Sequence, residues 1–97
     1  MRTLGKFSLE TAAGNAAIKS GELAKLVASM MEKLKPEAAY FATENGRRTA
    51  FVVFDMKEPS DIPGIAEPWF MATNASVEFC PVMTAEDVKT GLERAFG

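Results

Sequence analysis

The chain contains no histidine, and this absence excludes more chemistry than any residue present supports. Histidine is the usual general base near neutral pH, the usual partner of a serine or cysteine nucleophile, and a common ligand of zinc and haem iron. The single cysteine, Cys80, excludes an internal disulfide and is typical of a reducing compartment. We therefore expect a protein without a metal or other cofactor.

Strong charge of one sign and long apolar runs are also lacking. Eleven basic residues stand against 13 acidic ones, a net charge of −2, so no basic surface for nucleic acid is predicted. Residues 1–20 lack the apolar run of a signal peptide, and nothing approaches the roughly 18 consecutive apolar residues of a membrane span. The sequence predicts one cytoplasmic domain, residues 1–97, with no nucleic-acid or membrane partner.

The clearest local element is a hairpin. Residues 38–44 and 47–55 flank Asn45-Gly46, the strongest short signal for a two-residue type I′ turn. That turn fixes the register, so that the numbers of opposed residues add up to 91. Both faces of the hairpin are apolar, whereas a sheet with one wet face alternates apolar with polar residues. We therefore expect cover on both faces of this sheet.

A strand and a helical region precede the hairpin, and a helix, a strand and a final helix follow it. Apolar residues at three- and four-residue steps indicate the helices, and alternation indicates the strands. The weak pattern around Gly21 indicates a break or restart in the first helical region, and Pro68 should kink or divide the next helix. The predicted ranges are strands 2–9 and 75–83, a helical region 12–35, a helix capped by Ser60, and a last helix opened by a Thr84–Asp87 capping box.

This order predicts an α+β fold of the ferredoxin-like type, βαββαβ with a C-terminal helix and an antiparallel sheet. In that arrangement the first and third strands are central, and two helices cover one face of the sheet. Little chain is left to cover the other face. Since fully burying one Phe or Val side chain is worth roughly 1.5–3 kcal/mol, a second copy packed sheet to sheet is the predicted cover.

Four runs carry a resemblance: LKPEAAYF (34–41), GRRT (46–49), IAEPWF (65–70) and PVMTAED (81–87). They resemble a functionally uncharacterised family of short bacterial proteins in the dimeric α+β-barrel superfamily. That superfamily includes cofactor-free monooxygenases, small isomerases, haem-degrading enzymes and stress-response proteins. The resemblance implies a homodimer whose barrel binds a small organic molecule. Haem degradation is not expected, because those members rely on a histidine ligand.

The candidate ligand-binding residues are Arg48, Tyr40, Glu67 and Trp69; no catalytic residue is assigned. Arg48 holds a carboxylate or phenolate if its face of the hairpin lines the dimer cleft; otherwise it reaches water. Glu67 acts as a base if it is partly buried, or else it caps a helix or pairs with a cation. Tyr40 and Trp69 line an aromatic pocket or belong to the core.

Three further residues have simpler interpretations. Arg47 opposes Glu44 and predicts a cross-strand ion pair. Cys80 is expected to be a small buried or interface residue. Lys6, on a central strand, either reaches the sheet edge or projects into a polar cavity.

Two functions follow. The first is a homodimer that binds a small, mostly apolar organic molecule, with turnover of the monooxygenase or isomerase kind as an extension. The alternative is a non-catalytic dimeric module for interaction or sensing. A ligand-sized cavity of about 300 Å³ or more between the sheets would favour the first.

Overall fold

Four strands pair antiparallel in one sheet in the computed structural model, which describes residues 1–97. They are β1 (Arg2–Ser8), β2 (Ala38–Glu44), β3 (Arg47–Asp55) and β4 (Ser76–Pro81), in the spatial order β2-β3-β1-β4. β1 and β3 are central, and β2 and β4 form the edges. The predicted α+β class and antiparallel sheet are confirmed.

Four α-helices join or follow the strands: α1 (Thr11–Ser20), α2 (Glu22–Leu34), α3 (Ile62–Thr73) and α4 (Ala85–Phe96). The predicted break in the first helical region is confirmed. Gly21 separates α1 from α2 with φ 82°, a left-handed conformation that glycine adopts without steric cost. The Thr84–Asp87 capping box at the start of α4 is also confirmed.

The start of α3 differs from the prediction. A short 3₁₀ turn over Pro59–Asp61 precedes the helix, and Glu58 and Asp61 form its capping box. Ser60 is therefore not the cap, because the turn already begins at a proline, whose fixed φ suits the first position of a helical turn. α3 continues through Pro68, so this proline does not divide the helix.

The hairpin of β2 and β3 has the predicted register, with Glu44 opposite Arg47 and Phe41 opposite Ala50. Its two turn residues both have positive φ, 53° at Asn45 and 74° at Gly46. A type I′ turn requires this conformation at both positions, which explains why the Asn-Gly pair identified the hairpin.

One face of the sheet, here called the helix face, packs against α1, α2 and α3. Phe7 of β1 and Phe54 of β3 are almost completely buried there, together with Val52. Met30 of α2 and Trp69 of α3 complete the centre of this core from the helix layer. Side chains alternate between the two faces of a strand. The odd-numbered residues of β1 and the even-numbered residues of β3 therefore face the helices.

The opposite face, here called the open face, has no helix packed on it. Its apolar side chains include Tyr40, which is 71% exposed, and Phe51, which is half-buried. Cys80 also lies on this face and is exposed within the single chain, so the prediction that it is buried in the domain itself is wrong. β4 ends at Pro81, two residues earlier than predicted, before the chain turns into α4.

The last helix, α4, stands away from the rest of the domain and has no extensive contact with any other element. Its predicted apolar line, Val88, Leu92 and Phe96, is largely exposed. No helix in the structure has the length and apolar character needed to cross a membrane.

Candidate functional site

A mostly apolar pocket of about 400 Å³ lies where the helix layer leaves part of the β2–β3 hairpin uncovered. Leu23 and Val27 of α2 form one wall, and Phe41 of β2, 56% exposed, forms the opposite rim. The volume lies within the range of about 300–1,000 Å³ that is usual for small-molecule sites. The lining comprises Leu9, Leu23, Val27, Phe41, Ala42, Thr43, Arg48, Thr49, Ala50 and Trp69.

Arg48 is the only charged residue in this lining. Its Nη2 donates to Asn15 Oδ1 at 2.8 Å, and its Nη1 donates to the Thr11 carbonyl oxygen at 3.4 Å. Neither acceptor is charged, and Arg48 takes part in none of the four ion pairs of the protein. Arg48 therefore adds to the wall of the pocket a positive charge that no carboxylate within ion-pair distance neutralises.

Gly14 makes room for this guanidinium. It is buried in the middle of α1, and a Cβ at this position would lie 2.8 Å from Arg48 Nη1. An interior glycine costs a helix roughly 0.5–1 kcal/mol relative to alanine. The close approach of Arg48 is a physical reason for the glycine, because any larger side chain would push the guanidinium aside.

Trp69 forms the floor of the pocket and also belongs to the core. Its side chain is 2% exposed, and its ring centroid lies 5.0 Å from that of Phe7. The Thr73 hydroxyl donates to the Trp69 carbonyl oxygen at 2.7 Å within α3. The two interpretations of Trp69 from the sequence, core residue and pocket residue, therefore both apply.

The structure brings together two of the four candidate residues, Arg48 and Trp69, and separates the other two. Tyr40 points from β2 into the open face, on the far side of the sheet. Glu67 is exposed on α3 and outside the pocket lining, so it lacks the partial burial that its role as a base requires. Burial is needed because it is desolvation that raises the pKa of a carboxyl group.

The position of the pocket also differs from the expected one. From the sequence, Arg48 is expected in a cleft between two sheets if its face of the hairpin is the dimer face. That face instead meets the helices, because Ala50, Val52 and Phe54 on the same side of β3 are core residues. The pocket is therefore a gap between the sheet and helices of one chain.

Residues that the sequence argument missed are Leu9, Leu23, Val27, Gly14 and Asn15. The hairpin register already placed Phe41 beside Arg48, but it gave no indication of which helix would approach them. A glycine inside an otherwise acceptable helical stretch was a usable signal, since such a residue often marks a close contact. The contact with Arg48 joins distant parts of the chain and required the structure.

The open face carries its own polar cluster. Lys6 Nζ donates to Glu44 across β3, and this hydrogen bond raises the pKa of Lys6. Lys6 thus reaches the hairpin end of the sheet rather than a cavity. The predicted ion pair between Arg47 and Glu44 is wrong, although the two residues are opposed, because Lys6 takes the carboxylate instead.

A larger depression, about 580 Å³, lies between the end of α2 and the start of α3. Its lining mixes cations such as Lys33 and Lys35 with the carboxylates Asp55 and Asp61. Asp55 is already paired with Lys57 at 2.7 Å. Charges of both signs line this open surface. The depression therefore indicates the chemical class of a ligand less clearly than the mostly apolar pocket with its single cation, Arg48.

No protein-family model matches this chain, and no curated protein or solved structure shows significant similarity to it.

Proposed function

We propose that this protein binds a small, mostly apolar organic molecule with one anionic group, in the pocket that contains Arg48 and Trp69. The proposal rests on Arg48, a cation with no ion-pair partner, in the wall of a mostly apolar pocket of about 400 Å³. Apolar walls favour a hydrocarbon or aromatic body, and the single cation favours a carboxylate or phenolate on it.

The partners of Arg48 favour an anionic group on the ligand. Its present hydrogen bonds go to an amide oxygen and a backbone carbonyl oxygen. A carboxylate carries a full negative charge and can accept two parallel N–H bonds from a guanidinium, which a single amide or carbonyl oxygen does not offer. The guanidinium has five N–H donors and uses two of them here, so an anionic ligand can bind the remaining donors while Asn15 and the Thr11 carbonyl oxygen hold the group in place, whereas a neutral ligand would gain less.

Binding is better supported than turnover. The lining contains no Asp, Glu, Cys or Tyr side chain, so it offers no group for proton transfer at neutral pH. Isomerase chemistry by proton transfer lacks its acid and base here. Monooxygenase-like turnover of the bound molecule stays a prediction, to be checked by analysing the products after incubation with a bound probe under air.

We also propose a ferredoxin-like domain that forms a cytoplasmic homodimer by packing open face to open face, in the manner of the dimeric α+β-barrel superfamily. The spatial order β2-β3-β1-β4 with antiparallel pairing supports the first part. The exposed apolar residues of the open face, such as Tyr40, support the second. The sequence runs at 34–41 and 81–87 support the relationship.

The alternative is a non-catalytic dimeric module for interaction or sensing. The exposed apolar line of α4 and the open face favour it, because both are surfaces for protein contact. Ligand binding in the Arg48 pocket is compatible with sensing. The two functions are distinguished by whether the pocket binds an organic anion.

The test uses Trp69 as a reporter, since it is the only tryptophan and lies at the pocket floor. Its fluorescence is followed while hexanoate, octanoate, decanoate or benzoate is added, with the corresponding alcohols as neutral controls. The variants are Arg48→Met and, as the matched control, Arg47→Met, the neighbouring arginine outside the pocket. Native mass spectrometry of the purified protein would reveal any ligand that survives purification.

We expect the carboxylates to bind and the alcohols to bind more weakly. Arg48→Met should reduce carboxylate affinity by about tenfold to a hundredfold, because hydrogen bonds to charged groups contribute about 1.5–3 kcal/mol. Arg47→Met should leave it unchanged. Equal affinity of Arg48→Met and the unaltered protein for every carboxylate would refute the assigned role of Arg48. Absence of binding by every probe would favour the interaction module.

A further inference from the structure

The helix α4 presents an apolar stripe that nothing in the chain covers. Val88, Leu92 and Phe96 follow one another at four-residue steps on one side of the helix, and Phe96 is 87% exposed. The Thr84–Asp87 capping box stabilises the first turn of this 12-residue helix. An isolated helix of about 12–15 residues or fewer is nevertheless only marginally stable in water. A partner for this stripe would supply the missing stability.

The size of the exposed surface matches what a protein interface would bury. The chain exposes 6448 Å², whereas a compact monomer of 10.5 kDa exposes about 5,400 Å². The excess of about 1,000 Å² is similar to the roughly 800 Å² that each partner buries in a standard protein interface. The radius of gyration, 15.4 Å, likewise exceeds the roughly 12.5 Å of a compact chain of this length.

The charges of α4 argue against a membrane surface as the partner. Its polar side carries three acidic residues, Glu86, Asp87 and Glu93, against the two basic residues Lys89 and Arg94. Helices that lie on anionic membranes are rich in lysine and arginine on that side. A protein surface is therefore the better match for the stripe.

α4 begins close to the end of the sheet where β1 starts and β4 ends. The backbone N–H of Val82, three residues before α4, donates to the carbonyl oxygen of Arg2 at 3.1 Å, and the Arg2 side chain lies on the open-face side of β1. Arg2 is held there by an ion pair with Glu37 at 2.5 Å. A second copy of the chain offers the same stripe and the same open face, so one two-fold pair can cover both.

We infer that α4 is a dimerisation arm, whose stripe of Val88, Leu92 and Phe96 is buried against a second copy of this chain beside the paired open faces. The inference rests on the homodimer proposed above and is independent of ligand binding. Pairing of the two sheets alone would leave the apolar stripe of α4 exposed, and the second copy buries this remaining surface as well.

The test measures the dimer dissociation constant by sedimentation equilibrium for three proteins. They are the unaltered chain, the stripe variant Leu92→Gln/Phe96→Gln, and the polar-side control Glu93→Gln/Arg94→Gln, whose net charge is unchanged. Trp69 fluorescence checks that each variant is folded. We expect all three proteins to fold, because α4 contributes no residue to the buried core. Hydrogen exchange of the α4 amides in the unaltered chain, across a concentration series, adds a readout that needs no variant.

We expect the stripe variant to raise the dissociation constant by about a hundredfold or more, the control to leave it unchanged, and α4 protection to rise with dimer concentration. A dimer of equal affinity in all three proteins would overturn the α4 inference while the sheet-to-sheet homodimer stands. Protection of α4 in the monomer would overturn it too. A monomer at 100 µM would overturn both, leaving the ligand proposal to its own titration.

Discussion

Gly14→Ala should weaken carboxylate binding in the Arg48 pocket while changing the free energy of unfolding little. The added methyl group would lie 2.8 Å from Arg48 Nη1, whereas ordinary contacts of this kind begin near 3.4 Å. The guanidinium must therefore move by about 0.6 Å or more, which is enough to lengthen its 2.8 Å hydrogen bond to Asn15. The substitution acts on Arg48 without removing its charge.

The effect on folding should be small or favourable. Replacing an interior helical glycine by alanine stabilises a helix by roughly 0.5–1 kcal/mol. The displaced group is the flexible end of an arginine whose side chain already reaches the surface, so it finds new partners at little cost. We expect the free energy of unfolding to change by less than about 1 kcal/mol in either direction.

The effect on binding should be larger than the effect on folding. A displaced guanidinium loses the position in which Asn15 and the Thr11 carbonyl oxygen hold it, so carboxylate affinity should fall by up to about tenfold, less than in Arg48→Met. The assays are urea denaturation for stability and the Trp69 fluorescence titration for binding. Gly64→Ala is the control, because a Cβ there meets nothing within 4 Å.

Two results would refute this reasoning. A loss of more than about 2 kcal/mol in the free energy of unfolding would mean that the close contact is rigid rather than a flexible side-chain end. Full carboxylate affinity in Gly14→Ala, together with a loss in Arg48→Met, would mean that the position of Arg48 beside Gly14 does not matter for binding.

Three other perturbations have defined outcomes. Phe7→Ala should lower the free energy of unfolding by about 3–5 kcal/mol in urea denaturation, and a loss below about 1.5 kcal/mol would contradict its place at the centre of the core. The hydrogen bond from Lys57, together with one from the amino terminus, lowers the pKa of Asp55 to about 2. Because an unfolded Asp titrates near 3.9, this stabilisation is complete above about pH 4 and is lost as the pH falls toward 2; a carboxyl titration by NMR that gives an ordinary value would refute it. Tyr40→Ser should leave carboxylate binding unchanged while weakening the dimer in sedimentation equilibrium, and a reduced carboxylate affinity would place Tyr40 nearer the pocket than the sheet allows.

The local elements followed from the sequence because their determinants are local. Asn45-Gly46 specified the hairpin and its register through the positive φ that a type I′ turn needs. Gly21 marked the helix break for a similar reason. Ser60 misled the prediction, since a capping residue and a proline stood side by side and sequence pattern alone did not decide which one begins the turn.

The site could not be predicted to the same extent, because it depends on how the layers pack. Both faces of β3 are apolar, so alternation could not show that Val52 rather than Phe51 meets the helices. The pairing of Glu44 with Lys6 rather than Arg47 also depends on a neighbour two strands away. Arg48 was identified as a residue of interest, but the wall opposite it comes from α2, which no rule of spacing connects to the hairpin tip.

The uncovered part of β2 beside α2 means that this protein keeps an unfilled site in its packing. Natural proteins often give up stability at functional positions, and a space lined by Leu23, Val27 and Phe41 is a place where larger side chains would add apolar contacts. A variant such as Thr43→Leu, selected only for resistance to heat, should therefore tend to close the pocket. In a stability selection, the positions around Arg48 would be the ones where gains in melting temperature coincide with loss of ligand binding.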